Sequence, residues 1–339
     1  MSALEAAPRR SRPWWPGVGA VVCVGETMAA LSPDPPEPLA QARRLRLSVA
    51  GAESNVAMYL ADHGVPATWL SALGDDPLGA RVRATVAAAG VDVSHVRTET
   101  GYPTGLLVKD PNPTGTRVHY YRTGSAATRL GPELLDREPV RSAALLHFTG
   151  ITPALSPTCR ELVTRALDTP AGQRPYAISF DVNHRAALWP PDGDTGVVLR
   201  ALADRADIVF AGLDEAQNLW GADLTATGLR RLIPRPRVLV VKDGSRNATA
   251  FTEDDIHIVP ALRTEVVEPV GAGDAFAAGF LAGLYQEATV PQALRLGHIT
   301  AASALQVTGD HGPLPTPTDM TRLLTLPERE WESLGNRRP

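Results

Sequence analysis

Gly271-Ala272-Gly273-Asp274 sets two residues without side chains and one acid ahead of the small, apolar run Ala275-Phe276-Ala277-Ala278-Gly279-Phe280. That order reads as a tight turn opening a helix. The first amides of a helix have no partner within it, and the helix dipole makes that end attractive to anions. Glycines at 271 and 273 let a phosphate approach the backbone closely. Asp274 falls in the first turn, beside the anion hole, where like charges repel. A carboxylate there has a use if it takes the proton of a hydroxyl that attacks the phosphate. The same residues also read as an ordinary helix cap, and the four alone do not separate the two readings. No Gly-Lys-Ser/Thr follows, so this is not a P-loop, and Phe276 stands where a dinucleotide fingerprint has its third glycine.

Elements that would position these residues can be followed along the chain. Gly19 to Gly25 is an apolar run that reads as a first buried strand. Residues 28–50 hold a proline-rich bend and then the alternating Arg43–Val49, which suggests strands with one wet face outside the main sheet. Ala50-Gly51-Ala52-Glu53-Ser54-Asn55 leads into a helix ending near Gly64. Thr68 to Gly74 reads as a strand, and Asp75-Asp76-Pro77 as the capped start of a helix ending at Gly90. Residues 100–122 read as a second strand pair around a turn through Pro111–Gly115. From Ser142 onward the rhythm is strand then helix, with strands at Ala143–Phe148, Tyr176–Phe180, Asp207–Phe210 and Val238–Val241. Such alternation predicts an α/β fold, three layers with a mainly parallel central sheet and a small separate β-sheet. Right-handed crossovers then put the loops after Phe148, Phe180, Val241 and Val267 on one edge.

At 339 residues and 44% hydrophobic, the chain has material for one large core. The expected domain covers 18–320, with a disordered tail over 1–17 and a C-terminal tail over 321–339 that follows a short closing helix. A formal net charge of −4 gives no electrostatic reason to expect nucleic acid or an anionic membrane. Cys23 and Cys159 make no metal or redox spacing, and no run approaches a membrane span. No export signal is legible at the start, which points to the cytoplasm.

The stretch Glu268 to Phe280 resembles the second signature of the ribokinase-like (PfkB) family of carbohydrate kinases, with Glu268 and Val270 where the family more often has Asp and Thr. Ala50 to Asn55 is similar to the family's first signature, with Ala50 in place of a first glycine. The resemblance covers about residues 18–312 and implies the ribokinase-like three-layer fold with a β-sheet lid. It implies ATP and Mg²⁺ as cofactors, a sugar as acceptor, and a homo-oligomer formed through the lid. Asp274 becomes the catalytic base, and Gly271, Ala272 and Gly273 the anion hole. Gly51 and Asn55 become sugar contacts, Lys242 and Gly244 nucleotide contacts. Glu215 becomes a magnesium partner through water, although Gly212 replaces the family's asparagine nearby.

Two arginines narrow the substrate. Arg122 ends the expected lid segment His119-Tyr120-Tyr121-Arg122, and Arg185 follows the strand ending at Phe180. A guanidinium matches a carboxylate, which neutral sugars lack. Arginines also pair with acids, and Asp181 stands ready to serve Arg185. Together the two segments resemble the 2-keto-3-deoxygluconate kinases within the family, in which Tyr120, Arg122 and Arg185 would hold the acid end. Leu107 stands where that group often has a tyrosine. Fructokinase, ribokinase or 5-dehydro-2-deoxygluconokinase activity, and a non-catalytic sugar-binding regulator, are the alternatives.

Overall fold

The computed structural model describes residues 19–112, 115–170, 173–190 and 193–336. The tail expected over 1–17 lies outside them. Fourteen strands run through the described residues: β1 Val21–Val24, β2 Met28–Pro33, β3 Leu45–Ala50, β4 Ala67–Leu70, β5 Ala72–Gly74, β6 Arg97–Glu99, β7 Leu106–Asn112, β8 Gly115–Tyr121, β9 Leu145–Thr149, β10 Ala177–Asp181, β11 Ile208–Gly212, β12 Val238–Asp243, β13 Asn247–Phe251 and β14 Ile256–Pro260.

Eight of them form the central sheet in the order β14-β13-β12-β11-β10-β9-β1-β4. The six from β12 to β4 are parallel, and β13 and β14 add an antiparallel edge. Side chains alternate between two cores along each parallel strand. Val21 and Cys23 join Tyr59, Trp69, Phe210 and Phe280 on one face, while Val22 and Val24 join Phe148, Phe180 and Leu199 on the other. A sheet buried on both faces needs helices on both, which gives the expected three layers. Helix Ala272–Tyr285 lies against helix Val290–Leu305 so closely that a Cβ on Gly279 would fall 2.4 Å from Thr300 Oγ1. The small residues after Asp274 are therefore the packing surface for the neighbouring helix.

Strand order reverses between β1 and β9: the chain steps outward from β1 to β4, and in the other direction from β9 to β12. In an open parallel sheet the crevice at such a reversal, at the carboxyl ends of the strands, is where ligands sit. A second sheet, β3-β2-β7-β8, matches the expected lid over 28–50 and 100–122. Its inner face packs Met28, Ala30, Ala50 and Leu107 together with Val118. Of the predicted turn between its last two strands, Pro113 and Thr114 lie outside the described residues.

Three expectations need correction. The strand read over 68–74 breaks at Ser71: β4 stays beside β1, but Arg97 N donates to Ser71 O (3.0 Å) and draws β5 into a separate pair with β6. The hairpin β13–β14, unread in the sequence, widens the sheet beyond β12. Of the tail expected over 321–339, residues 321–336 are largely helical, and 337–339 lie outside the described residues. Helices Pro317–Leu324 and Glu328–Asn336 close the fold, because Trp331 is buried to 1% exposure and its indole donates to Pro260 O at 2.9 Å.

Candidate active site

Helix Ala272–Tyr285 begins at Gly271, whose φ of +86° is a left-handed conformation suited to glycine. A Cβ there would also come within 3.0 Å of Asp310. Beyond it, the Gly273 and Asp274 amides have no acceptor among the described residues, as the first turn of a helix requires unless something caps it. Space around Gly273 holds only the Lys242 ammonium, 3.3 Å from where a Cβ would stand. Ala272 is partly satisfied, its N–H donating to Pro269 O at 3.4 Å.

Asp274 is buried at the mouth of this turn. Asn55 Nδ2 donates to one of its oxygens at 2.9 Å and Asn183 Nδ2 to the other at 3.2 Å. Burial pushes its pKa up to about 6, against the Asn55 hydrogen bond and the Arg185 charge, which pull it down. A carboxylate so held is ionised near neutrality yet takes a proton readily, as a general base must. Asn55 also reaches Asp310 at 3.4 Å. Asn183 adopts φ +36°, an uncommon conformation for a residue other than glycine, and is held there at the end of β10.

Beside the turn lies a second charged group. Lys242 Nζ, near the end of β12, donates to Asp181 Oδ2, at the end of β10, at 2.7 Å. Burial alone would lower the lysine's pKa; the Asp181 carboxylate overrides it, so the net shift is upward and the ammonium stays charged. Asp181 Oδ1 is buried with no partner. Glu215 accepts hydrogen bonds from the His184 amide and from Gly212 N, the latter at 3.4 Å, and so caps its own helix, Leu213–Trp220. Burial first, and then Asp181, raise its pKa to about 7. Gly244 turns β12 into β13 at φ +53°, with nothing within 4 Å of a Cβ; its glycine serves the turn.

On the lid side the arginines part ways. Arg122 is 8% exposed and forms a buried ion pair with Glu26, whose other oxygen accepts from Ser125 Oγ at 2.5 Å. Its guanidinium lies 5.6 Å from the Tyr120 ring, and its Nε has no partner. Arg185 is exposed and donates to its neighbour's carbonyl, His184 O (3.1 Å); Asp181 turns to Lys242 instead of serving it. Gly51 is extended (φ −172°), and its small size matters because a Cβ would sit 2.6 Å from Glu26 O. Asp76 caps its helix, accepting from Gly79 N (2.7 Å) and Thr104 N (2.8 Å).

Asp274, Asn55, Lys242, Glu215 and the Gly271–Gly273 turn therefore meet on one edge, with Arg185 close enough to act on Asp274. Asp181, Asn183, Asp310, Glu26 and Lys109 were not singled out as site residues by the sequence. The Asp181–Asn183 segment adjoins Arg185, which is the signal that points to two of them. Lys109, Glu26 and Asp310 carry no motif of their own.

Against known proteins, residues 19–317 match the model of the pfkB family carbohydrate kinases. A 2-dehydro-3-deoxygluconokinase of Thermoproteus tenax is 34% identical over 90% of this chain and 94% of its own length. A 2-dehydro-3-deoxygalactonokinase of Haloferax volcanii is also 34% identical, over 90% and 96%. The crystal structure of a PfkB protein from Polaromonas sp. JS666, at 34% identity, superposes with a TM-score of 0.80 over 90% of this chain and 99% of that one. Among the described residues no helix is long and apolar enough to cross a membrane. A family model spanning most of the chain, on the fold its motifs require, leaves one assignment: the chain belongs to the pfkB family of carbohydrate kinases.

Proposed function

We propose that this kinase transfers the γ-phosphoryl group of ATP to the primary hydroxyl of 2-dehydro-3-deoxygluconate or its close relative 2-dehydro-3-deoxygalactonate. The observation that carries the reading is the buried Asp274, fixed by Asn55 and Asn183 beside a helix start whose next amides are unclaimed. The sugar oxygen forms a bond to phosphorus, the bond from phosphorus to the β–γ bridging oxygen breaks, and ADP departs. The hydroxyl proton passes to Asp274. The Gly273 and Asp274 amides take the charge of the transferring group, a contribution of about 10²–10³-fold per donor in comparable sites. Lys242, held upright by Asp181, adds a fixed positive charge alongside.

Magnesium fits this set. The partnerless Asp181 Oδ1 and the half-engaged Glu215 offer one or two carboxylates, the share a protein ordinarily gives to an ion that keeps waters and phosphates as its other ligands. Bound there it would spread the negative charge of the phosphates.

For the acid end of the sugar, Arg185 is the stronger partner, since among the described residues its guanidinium is bound only to a carbonyl. Arg122 already faces Glu26 and contributes its unpaired Nε and the Tyr120 face. The names of the two curated relatives support an acid sugar over a neutral one. Association of two copies through the lid sheet belongs to the same reading, supported by Tyr121 at 65% exposure and Leu45 at 43% on its edge strands.

The test is ATP consumption with 2-dehydro-3-deoxygluconate, 2-dehydro-3-deoxygalactonate, 5-dehydro-2-deoxygluconate, fructose and ribose side by side, repeated with Arg185→Ala. An acid sugar should give the highest kcat/KM, and the variant should lower it by about 10–100-fold while changing fructose use little. Equal losses for acid and neutral sugars would overturn the carboxylate reading. No ATP consumption with any sugar would favour a non-catalytic binder.

A further inference from the structure

Lys109 lies on β7 of the lid, yet its ammonium is not in solvent. The residue is 4% exposed, and Nζ stands 3.3 Å from Asp310 Oδ1 and 3.6 Å from Glu268 Oε2. By the pleat of β7, Lys109 shares the inner face of the lid with Leu107 and points toward the main domain. A lysine buried between two carboxylates is costly to assemble, and removing one member leaves the others uncompensated. Its two partners both belong to the surroundings of the phosphate-receiving turn. Glu268 Oε1 accepts from Val270 N at 3.4 Å, and the Glu268 amide is tied to Leu305 O at 3.4 Å. Asp310 packs against Gly271 so tightly that its Cβ and carbonyl stand 3.0 Å from where a Gly271 side chain would begin. Its other oxygen accepts from Asn55, which in turn holds Asp274. One ammonium on the lid is therefore shared between the two acids that brace the turn.

We infer that Lys109 is a positioning residue for the Gly271–Asp274 turn, acting through Glu268 and Asp310. With the lid in place, its charge holds both carboxylates where they brace the turn. Without it the two acids repel each other and the turn loses its fixed set of amides. Geometry lost at a phosphate hole lowers the rate of the bound complex more than it weakens ground-state binding. This rests on the reading that the turn receives the phosphoryl group; the exchange measurement below is independent of that reading, because it reports on the amides whether or not a sugar is turned over.

The experiment compares wild type with Lys109→Ala, whose truncated side chain leaves room for a small cation between the carboxylates. Hydrogen exchange at the Val270, Ala272 and Ala275 amides, which donate to Glu268, Pro269 and Gly271, should be faster by about tenfold or more, with β10 and β11 unchanged. For whichever sugar the wild type uses, kcat should fall by about tenfold or more while KM for sugar and ATP moves less than about threefold. Methylammonium chloride should restore both exchange protection and kcat in the variant, leave the wild type unaffected, and do so where tetramethylammonium chloride at the same ionic strength does not. Should Lys109→Ala not fold, Lys109→Met combined with Glu268→Gln removes charge in a balanced pair and should still speed exchange at the Val270, Ala272 and Ala275 amides. Wild-type exchange at those amides, or a loss confined to KM, or no response to methylammonium, would overturn the inference.

Discussion

Two helices begin at the same edge of the sheet and pack against each other in one core, one starting at Gly51 and one at Gly271, with Asn55 of the first donating to Asp274 of the second. Each starts on a glycine and each carries an acid in its first turn, Glu53 or Asp274. Their ends differ in what fills them. At the first, the Glu53 carboxyl is packed away: Thr149 and Thr152 hydroxyls both donate to it at 2.7 Å, and a Cβ on Gly25 would lie 2.1 Å from its Cδ. At the second, Asp274 is held aside by two asparagines, the amides of Gly273 and Asp274 are unclaimed, and a lysine stands nearby. On the proposed reading, equal helix dipoles thus yield one structural joint, at the crevice where strand order reverses, and one anion site. A helix N-terminus becomes a site when its acid is kept out of the hole and a cation is left beside it.

The contrast breaks most visibly at Asp274. Asp274→Asn should lower kcat by about 10²–10⁴-fold, read in the ATP-coupled assay, because the amide cannot take the proton. Its stability should move the other way. Asp274 has its folded pKa raised to about 6, so the native protein binds the proton more tightly than the unfolded chain. The stability this confers is full below the ordinary carboxylate range and is lost as pH rises through about 6. Thermal melts above that pH should therefore show the variant as stable as the wild type or more so. A melt lowered in step with activity would make Asp274 a structural residue.

Glu53→Gln sharpens the same contrast at the small end of the scale. Both threonines keep an acceptor, so kcat should change by less than about threefold. Burial raises the Glu53 pKa to about 7, with the Thr152 and Thr149 hydrogen bonds acting against it. Ionising it thus costs stability that is lost as pH rises through about 7, and the variant should melt higher than wild type above that pH. A large drop in kcat would place Glu53 in the chemistry and erase the distinction between the two helix starts.

Much of this was legible in the chain. Gly271–Asp274 announces a helix start with an acid in it, apolar strands alternate with helices from residue 142, and the two β-rich segments outside that rhythm become the lid. What stayed hidden depends on long-range pairing. Asn55 meets Asp274 across 219 positions, and no local spacing encodes that. Lys109 sits in a strand where alternation reads a lysine as solvent-facing, but it points inward because two acids from distant loops await it. Arg122 carries a motif that reads as a sugar-acid contact, while Glu26, which pairs with it, lies in a turn with no charge pattern. The break at Ser71 escaped for a similar reason: an apolar run does not reveal which neighbour each half will find.

The most direct test of the central claim is the pH dependence of kcat/KM for the preferred acid sugar, measured in wild type and in Glu53→Gln. With Asp274 as the base, the acid limb should bend near pH 6 in both proteins and fall about tenfold per pH unit below it. A limb that bends near pH 7 in the wild type and vanishes in Glu53→Gln would contradict the account and move the chemistry to the other helix.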